Sequence, residues 1–242
     1  TDIRGFTTLA ETLPPEETIE LLNTYYTLMF DAVGGHGGIV SLIIGDGLMV
    51  IFGAPIPLAD HCECAVRSAL EMIDTIELFN VDRVAAGKPP IRIGIGIASG
   101  EMVAGYAGTN ERATYTCIGD TVNLASRLEA HTKVAQRPIL IDDATRSALG
   151  ERFAVEALGA VPIRGKTVAV DVFAVEAAVR SAAEHARAGH GPSLLEFRTY
   201  RLRAQSMLDA QLYRDKTEIA EWQQRGPIST LTARLKGAGL MT

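Results

Sequence analysis

Apolar positions along the chain alternate between helical and strand-like spacing. Between Pro15 and Gly34 they recur every three or four residues, which predicts an amphipathic helix that starts at a proline. Two apolar, β-rich runs then flank Gly-Asp-Gly at 45–47, which predicts a tight hairpin with Asp46 at its tip. A second helical pattern follows at 60–80.

The second half of the pattern continues this alternation of strands and helices. Residues 91–98 alternate isoleucine with arginine or glycine, which predicts a strand whose glycines let another backbone approach closely. Helical spacing returns at 121–131, between predicted strands at 114–118 and 138–141. The whole pattern predicts an α+β fold with a mainly antiparallel sheet and helices packed on it.

Chain length and composition set the domain organisation. A chain of 242 residues that is 47% hydrophobic can bury one full core and leave a smaller appendage. Near residue 180 the sequence becomes rich in alanine, histidine and glycine. We therefore predict a domain at 1–178, a linker at 179–190 and a short α/β tail at 191–242.

Charge, cysteine content and hydropathy exclude several classes of function. The net charge is −6 and basic residues do not cluster, so no nucleic-acid partner is expected. Three cysteines without a C-x-x-C pair predict neither a disulfide framework nor a structural zinc site, and favour a reducing compartment. The apolar runs are strand-sized and no signal peptide is visible, so we expect a cytoplasmic chain without a membrane segment.

Two pairs of polar residues are candidates for chemistry. Asp2 and Asp46 could converge as hard oxygen ligands for Mg²⁺, although an aspartate between two glycines also simply favours a turn. Asn123 and Arg127 lie four residues apart on one helical face, where an amide and a guanidinium can bind a sugar oxygen and a phosphate. Such a pair also occurs on ordinary solvated helix faces, so the residues alone leave both readings open.

Longer motifs carry a family resemblance. Residues 1 to about 178 resemble a class III adenylyl or guanylyl cyclase catalytic domain, whose fold is a ferredoxin-like, mainly antiparallel sheet with packed helices. The resemblance rests on T-D-I-R-G-F-T at 1–7, on G-G-I-V-S-L-I-I-G-D-G-L-M-V-I-F-G-A-P at 37–55, on I-R-I-G-I-G-I-A-S-G-E at 91–101, on Y-T-C-I-G-D-T-V-N-L-A-S-R-L-E at 115–129 and on R-G-K at 164–166.

The resemblance implies a role for each matching residue. Asp2, Asp46 and the backbone carbonyl of Ile3 would hold two Mg²⁺ or Mn²⁺ ions per site. Asn123 would orient the ribose, and Arg127 would stabilise charge on the α-phosphate. The remaining nucleotide contacts would come from Gly5, Phe6, Thr7, Leu42, Thr116, Arg164 and Lys166.

The implied reaction converts ATP into 3′,5′-cyclic AMP and pyrophosphate. In the family, the metal aspartates and the Asn/Arg pair of one site belong to opposite protomers, so the resemblance implies a homodimer with shared sites and an inactive monomer. A non-catalytic module that binds nucleotide and dimerises is the alternative, as is a cyclase specific for GTP or with relaxed specificity.

Two features depart from the family pattern. Its adenine selectors are usually a lysine, here Leu42, and an aspartate or threonine, here Thr116. Leucine cannot donate a hydrogen bond to the ring, so purine discrimination should be weak, with ATP favoured because position 42 is not acidic either. The chain also starts at the metal-binding motif, where the family has a central strand before it, so we expect exposed sheet edges and a less settled Asp2.

The tail resembles a different family. Its sequence from 191 resembles the C-terminal part of the α subunit of thiamine-diphosphate-dependent 2-oxoacid dehydrogenases. That family has histidine where this chain has Gln205, and its upstream cofactor segment has no counterpart here. A dehydrogenase fragment would predict thiamine diphosphate binding, but we expect the tail alone not to bind the cofactor.

Overall fold

The computed structural model describes residues 1–109, 113–162 and 169–175. The predicted linker at 179–190 and the tail at 191–242 lie outside the described residues, so those domain boundaries stay predictions. Within the described ranges the elements are, in chain order, β1 (Asp2–Ile3), α1 (Phe6–Thr12), α2 (Pro15–Gly35), β2 (Ile39–Ile44), β3 (Gly47–Ile51), α3 (His61–Ala85), β4 (Ile93–Ile97), β5 (Val103–Gly108), β6 (Ala113–Ile118), α4 (Asp120–Ala135), β7 (Ile139–Asp142), α5 (Asp143–Leu149), β8 (Val155–Val161) and β9 (Val170–Val175).

The main sheet has five strands in the order β1-β4-β7-β9-β8. Strands β4 and β7 are parallel, whereas the pairs β1–β4, β7–β9 and β8–β9 are antiparallel. Strands β2 and β3 form one separate hairpin, and β5 and β6 form another. The prediction of an α+β fold with a mainly antiparallel sheet and packed helices is confirmed.

Strand β7 shows how the core is divided by the sheet. Ile139 and Ile141 point to the face covered by α2, α3 and α5, while Leu140 between them points to the opposite face. There Leu140 packs with Leu124 and Leu128 of α4. Because side chains alternate along a strand, a run of four buried residues requires cover on both faces.

Helix α4 lies unusually close to β4 because two positions of the strand have no side chain. A Cβ atom at Gly96 would lie 2.2 Å from the carbonyl oxygen of Ala125 and 2.3 Å from the backbone nitrogen of Glu129. A Cβ atom at Gly94 would lie 2.5 Å from Oγ1 of Thr132. The predicted close approach of another backbone is confirmed at Gly96, where that backbone belongs to α4, whereas the atoms nearest Gly94 are side-chain atoms of α4.

Two further expectations from the sequence concern membrane-spanning helices and the cysteines. None of the helices among the described residues is both long and apolar enough to cross a membrane. Cys62, Cys64 and Cys117, which are the chain's three cysteines, are all free thiols.

Candidate active site

The two candidate metal-binding aspartates meet where β1 passes the tip of the β2–β3 hairpin. Asp2 lies directly opposite Gly94 in the β1–β4 pair, and the residue before it is tied to β3, where the Leu48 N–H donates to the Thr1 carbonyl at 2.9 Å. Asp46 occupies the hairpin turn, and its Oδ2 accepts a hydrogen bond of 3.1 Å from the Ile3 N–H. The fold therefore brings together two carboxylates that are 44 positions apart in the sequence.

The electrostatics of this pair fit a divalent cation. Burial, followed by a hydrogen bond that protonated Asp46 donates to Asp2 and by the negative charge of Asp2, raises the pKa of Asp46 to about 6. Two adjacent carboxylates repel each other when both are ionised, and a hard cation between them would offset that repulsion. The described residues contain no group of three or more His, Cys, Asp or Glu side chains that could hold a metal. Two carboxylates with a backbone carbonyl and phosphate oxygens are a donor set that suits Mg²⁺.

Neighbouring elements hold this pair in place. The Tyr26 hydroxyl of α2 donates a hydrogen bond to the carbonyl of Gly45, next to Asp46 in the turn. Arg4, two residues after Asp2, donates from its guanidinium to the carbonyl of Thr132 at 3.2 Å and to that of Arg137 at 3.0 Å. These carbonyls lie at and just beyond the end of α4, where a cation is favoured by the helix dipole. Sequence reasoning missed both supporting residues, because neither pairing follows from local spacing.

The predicted phosphate-binding segment forms the start of α1. Gly5 precedes the helix in the left-handed conformation with φ of 68°, which favours glycine and lets the chain turn from β1 into α1. The first N–H groups of a helix have no partner inside it, so those of Phe6 and Thr7 are available to an anion. The structure is compatible with the prediction for Gly5, Phe6 and Thr7, whose role in binding stays a prediction.

Asn123 and Arg127 lie on one face of α4, as their spacing predicts. Asn123 is exposed and Arg127 is half-buried. The Nη1 atom of Arg127 is buried and has no hydrogen-bond partner among the described residues. A buried guanidinium nitrogen without an acceptor is energetically costly, so the arrangement favours an acceptor supplied by a bound molecule or a second chain. Within the described chain, no recorded hydrogen bond or ion pair joins this pair to Asp2 or Asp46.

The two predicted base-selecting positions lie on neighbouring strands. Ser41 on β2 donates a hydrogen bond of 2.7 Å from its hydroxyl to the carbonyl of Tyr115 on β6. Leu42 and Thr116 follow these residues directly, and both are half-buried. One chain thus supplies both positions, and the pairing offers a base one apolar contact and one hydroxyl. Arg164 and Lys166 lie outside the described residues, so their predicted role in phosphate binding stays a prediction.

A cavity of about 730 Å³ lies beside the aspartate pair, between β3 and β4. Asp2, Asn123 and Glu129 are among its lining residues, together with apolar side chains of α3 such as Met72. Strand β1 pairs with β4 only at Ile93 and Gly94. The next residues of β4, at 95–97, line the cavity together with β3.

Comparison with known proteins gives two family matches. The model of the adenylate and guanylate cyclase catalytic domain matches residues 1–177. The model of the dehydrogenase E1 component matches residues 145–242, which supports the resemblance of the tail. Adenylate cyclase 1 of Rhizobium meliloti (strain 1021) is 35% identical over 181 residues, which are 75% of this chain and 27% of that protein.

Solved structures agree with the first match. The adenylyl cyclase CyaB from P. aeruginosa is 32% identical with a TM-score of 0.69, covering 73% of this chain and 91% of that one. The guanylyl cyclase Cya2 is 35% identical with a TM-score of 0.66, covering 72% and 87%. The chain spans between 8% and 36% of the length of the first three curated relatives it matches. By its sequence and its fold, the chain belongs to the family of adenylate and guanylate cyclase catalytic domains.

Proposed function

We propose that this chain is a nucleotide cyclase that converts ATP into 3′,5′-cyclic AMP and pyrophosphate at sites shared by two copies. The observation that carries the proposal is the division of the charged groups within one chain. At the β2–β3 turn Asp46 accepts a hydrogen bond from the N–H of Ile3, the residue directly after Asp2. The buried nitrogen Nη1 of Arg127 belongs to α4 and has no hydrogen-bond partner among the described residues. A second copy is the simplest source of the missing half of each site.

The side chains have distinct tasks in the proposed reaction. When bound by Asp2, Asp46 and the Ile3 carbonyl, two Mg²⁺ or Mn²⁺ ions would supply the charge that acidifies the ribose 3′-hydroxyl and stabilises departing pyrophosphate. The partner's α4 would present Asn123 to the ribose and Arg127 to the α-phosphate, where negative charge builds up during the attack.

The base preference rests on residues with little discriminating power. The Thr116 hydroxyl can accept a hydrogen bond from the adenine amino group, whereas Leu42 offers only apolar contact. An adenylyl and a guanylyl cyclase are both similar in structure, so the family alone does not select the base. We therefore propose ATP as the preferred substrate, with GTP used measurably as well.

Complementation between inactive variants tests the shared site. Asp46→Ala and Arg127→Ala should each abolish formation of cyclic nucleotide from Mn²⁺-ATP. Random mixing makes half of the dimers heterodimers with one intact site of two, so the mixture should recover about a quarter of the wild-type turnover. Cyclic AMP and cyclic GMP would be measured side by side, with ATP and GTP supplied in parallel.

The matched control mixes Asp2→Ala with Asp46→Ala. Both changes damage the same half of the site, so this mixture should stay inactive. Turnover by Asp46→Ala alone, or silence of the first mixture when heterodimers are demonstrated, would contradict the shared-site mechanism. Nucleotide binding by the wild-type chain without any turnover would favour the non-catalytic module instead.

A further inference from the structure

A cationic side chain lies beside the metal-binding aspartates and has no role in the reaction described above. The Nζ atom of Lys133, near the end of α4, is 3.7 Å from Oδ2 of Asp2 in the same chain. Glu129 lies one helical turn earlier, on the same side of the helix as Lys133. Its Oε1 occupies the space that a Cβ atom at Gly94 would need, at 2.8 Å, and Gly94 is the residue directly opposite Asp2.

The charges around Asp2 explain why an internal cation is present. Asp46 and Glu129 both place carboxyl groups near Asp2, so a half-site without metal concentrates negative charge. Lys133 contributes a compensating positive charge, and Arg4 contributes another through its bonds to the end of α4. Among the described residues, the ammonium group of Lys133 is the one recorded in an ion pair with the side chain of Asp2.

The approach of Lys133 to Asp2 is determined by the fold. The backbone of α4 packs against Gly96 without intervening side chains, and Arg4 joins the segment after Asp2 to the carbonyl of Thr132. Thr132 immediately precedes Lys133. These two contacts fix the backbone of Lys133 close to Asp2, although the lysine side chain itself is half exposed.

We propose that Lys133 is a resident cation that pairs with Asp2 until a divalent metal ion displaces it. This inference rests on the metal site of the proposed function. A divalent ion bound by Asp2 would be repelled by the nearby ammonium and would also disrupt its ion pair. Lys133 therefore lowers the affinity of the empty half-site for free metal, and the negative triphosphate offsets that effect when nucleotide arrives with its own metal.

The sign of one mutational effect separates this role from simple structural support. If Lys133 competes with metal for Asp2, its removal tightens metal binding. If Lys133 only holds Asp2 in a productive position, its removal weakens metal binding. The two roles thus predict opposite changes in the dissociation constant of the same ion.

The experiment measures binding of Mn²⁺ alone to the full chain, with the free ion quantified by electron paramagnetic resonance at low ionic strength. Lys133→Met keeps the length of the side chain and removes its charge, and it should bind Mn²⁺ about two- to fivefold more tightly, as expected for a partly exposed ion pair. Lys133→Gln is the second variant and should behave alike. The gain should shrink as salt is added, because the repulsion is screened.

Two controls keep the charge effect specific. Lys133→Arg retains the positive charge and should bind Mn²⁺ as the wild type does. Lys88→Met removes a lysine from a similarly exposed ion pair with Glu17, at 3.1 Å, outside the site, and should leave binding unchanged. Equal or weaker binding by both uncharged variants at position 133 would overturn the inference.

Asp46→Ala distinguishes failure of the proposed metal site from failure of the role proposed for Lys133. If this variant binds Mn²⁺ as well as the wild type does, the metal site of the proposed function is wrong. If it loses Mn²⁺ while Lys133→Met gains no affinity, the metal site stands and only the role of Lys133 is refuted.

Discussion

Replacing Gly96 with alanine tests the contact that positions α4 on the sheet. The added Cβ atom would lie 2.2 Å from the Ala125 carbonyl oxygen, 2.3 Å from the Glu129 nitrogen and 2.9 Å from the Leu128 carbonyl carbon. All three are backbone atoms of α4, so no side-chain rotation can relieve the clash. The helix as a whole has to move away from β4.

The size of that movement sets the expected loss. Non-bonded heavy atoms prefer separations of about 3.5 Å, so α4 would have to retreat by about 1 Å. Overpacking of a core by one carbon typically costs about 1–3 kcal/mol. Since the obstacle is backbone, and since Leu124 and Leu128 would lose contact with Leu140, we expect about 3 kcal/mol of lost unfolding free energy. A shift of this size in Asn123 and Arg127 should also lower turnover by about 100-fold.

Urea unfolding followed by circular dichroism measures the stability change. The matched control is Gly105→Ala on β5, where an added Cβ atom would meet nothing within 4 Å. That variant should stay within about 0.5 kcal/mol of the wild type. If Gly96→Ala proves as stable and as active as Gly105→Ala, then α4 does not rest on Gly96 and the placement of the helix is wrong.

Two further predictions concern the candidate site. Because the pKa of Asp46 rises from 3.8 to about 6 on folding, the metal-free native state holds this proton more firmly than the unfolded chain does, and stability falls as pH rises through that window. Asp46→Asn should therefore raise the free energy of unfolding by about 1 kcal/mol over the wild type near pH 8, after allowance for solvent screening, and by almost nothing near pH 3. An equal rise in melting temperature at both pH values would contradict the assignment. Leu42→Lys should raise the ratio of ATP to GTP turnover by adding a donor for the adenine ring, and an unchanged ratio would refute the role given to position 42.

Elements with a strong local signal were predicted well from the sequence. Pro15 begins α2, the Gly-Asp-Gly turn places Asp46 at the hairpin tip, and Gly96 of β4 lies against another backbone. Each of these features depends on backbone conformation or on steric space at one residue.

Features that depend on distant packing were missed. Helix α1 has only seven residues and includes Thr7, Thr8 and Thr12, so its sequence shows no clear helical spacing of apolar residues. Its direction is determined by the left-handed turn at Gly5. The approach of Lys133 to Asp2 joins residues 131 positions apart and follows from the contact of α4 with β4. The roles of Asp2 and Asn123 came from the family resemblance, because an isolated aspartate or asparagine has many ordinary uses.

The guanidinium of Arg4 has a mechanical consequence for a pair of copies. It links the strand that carries Asp2 to the last turn of the helix that carries Arg127. In the proposed dimer, that helix also reaches into the neighbouring reaction centre, so it would contact both centres. A movement of this helix in either copy would shift residues of both centres, so the activities of the two sites should be coupled.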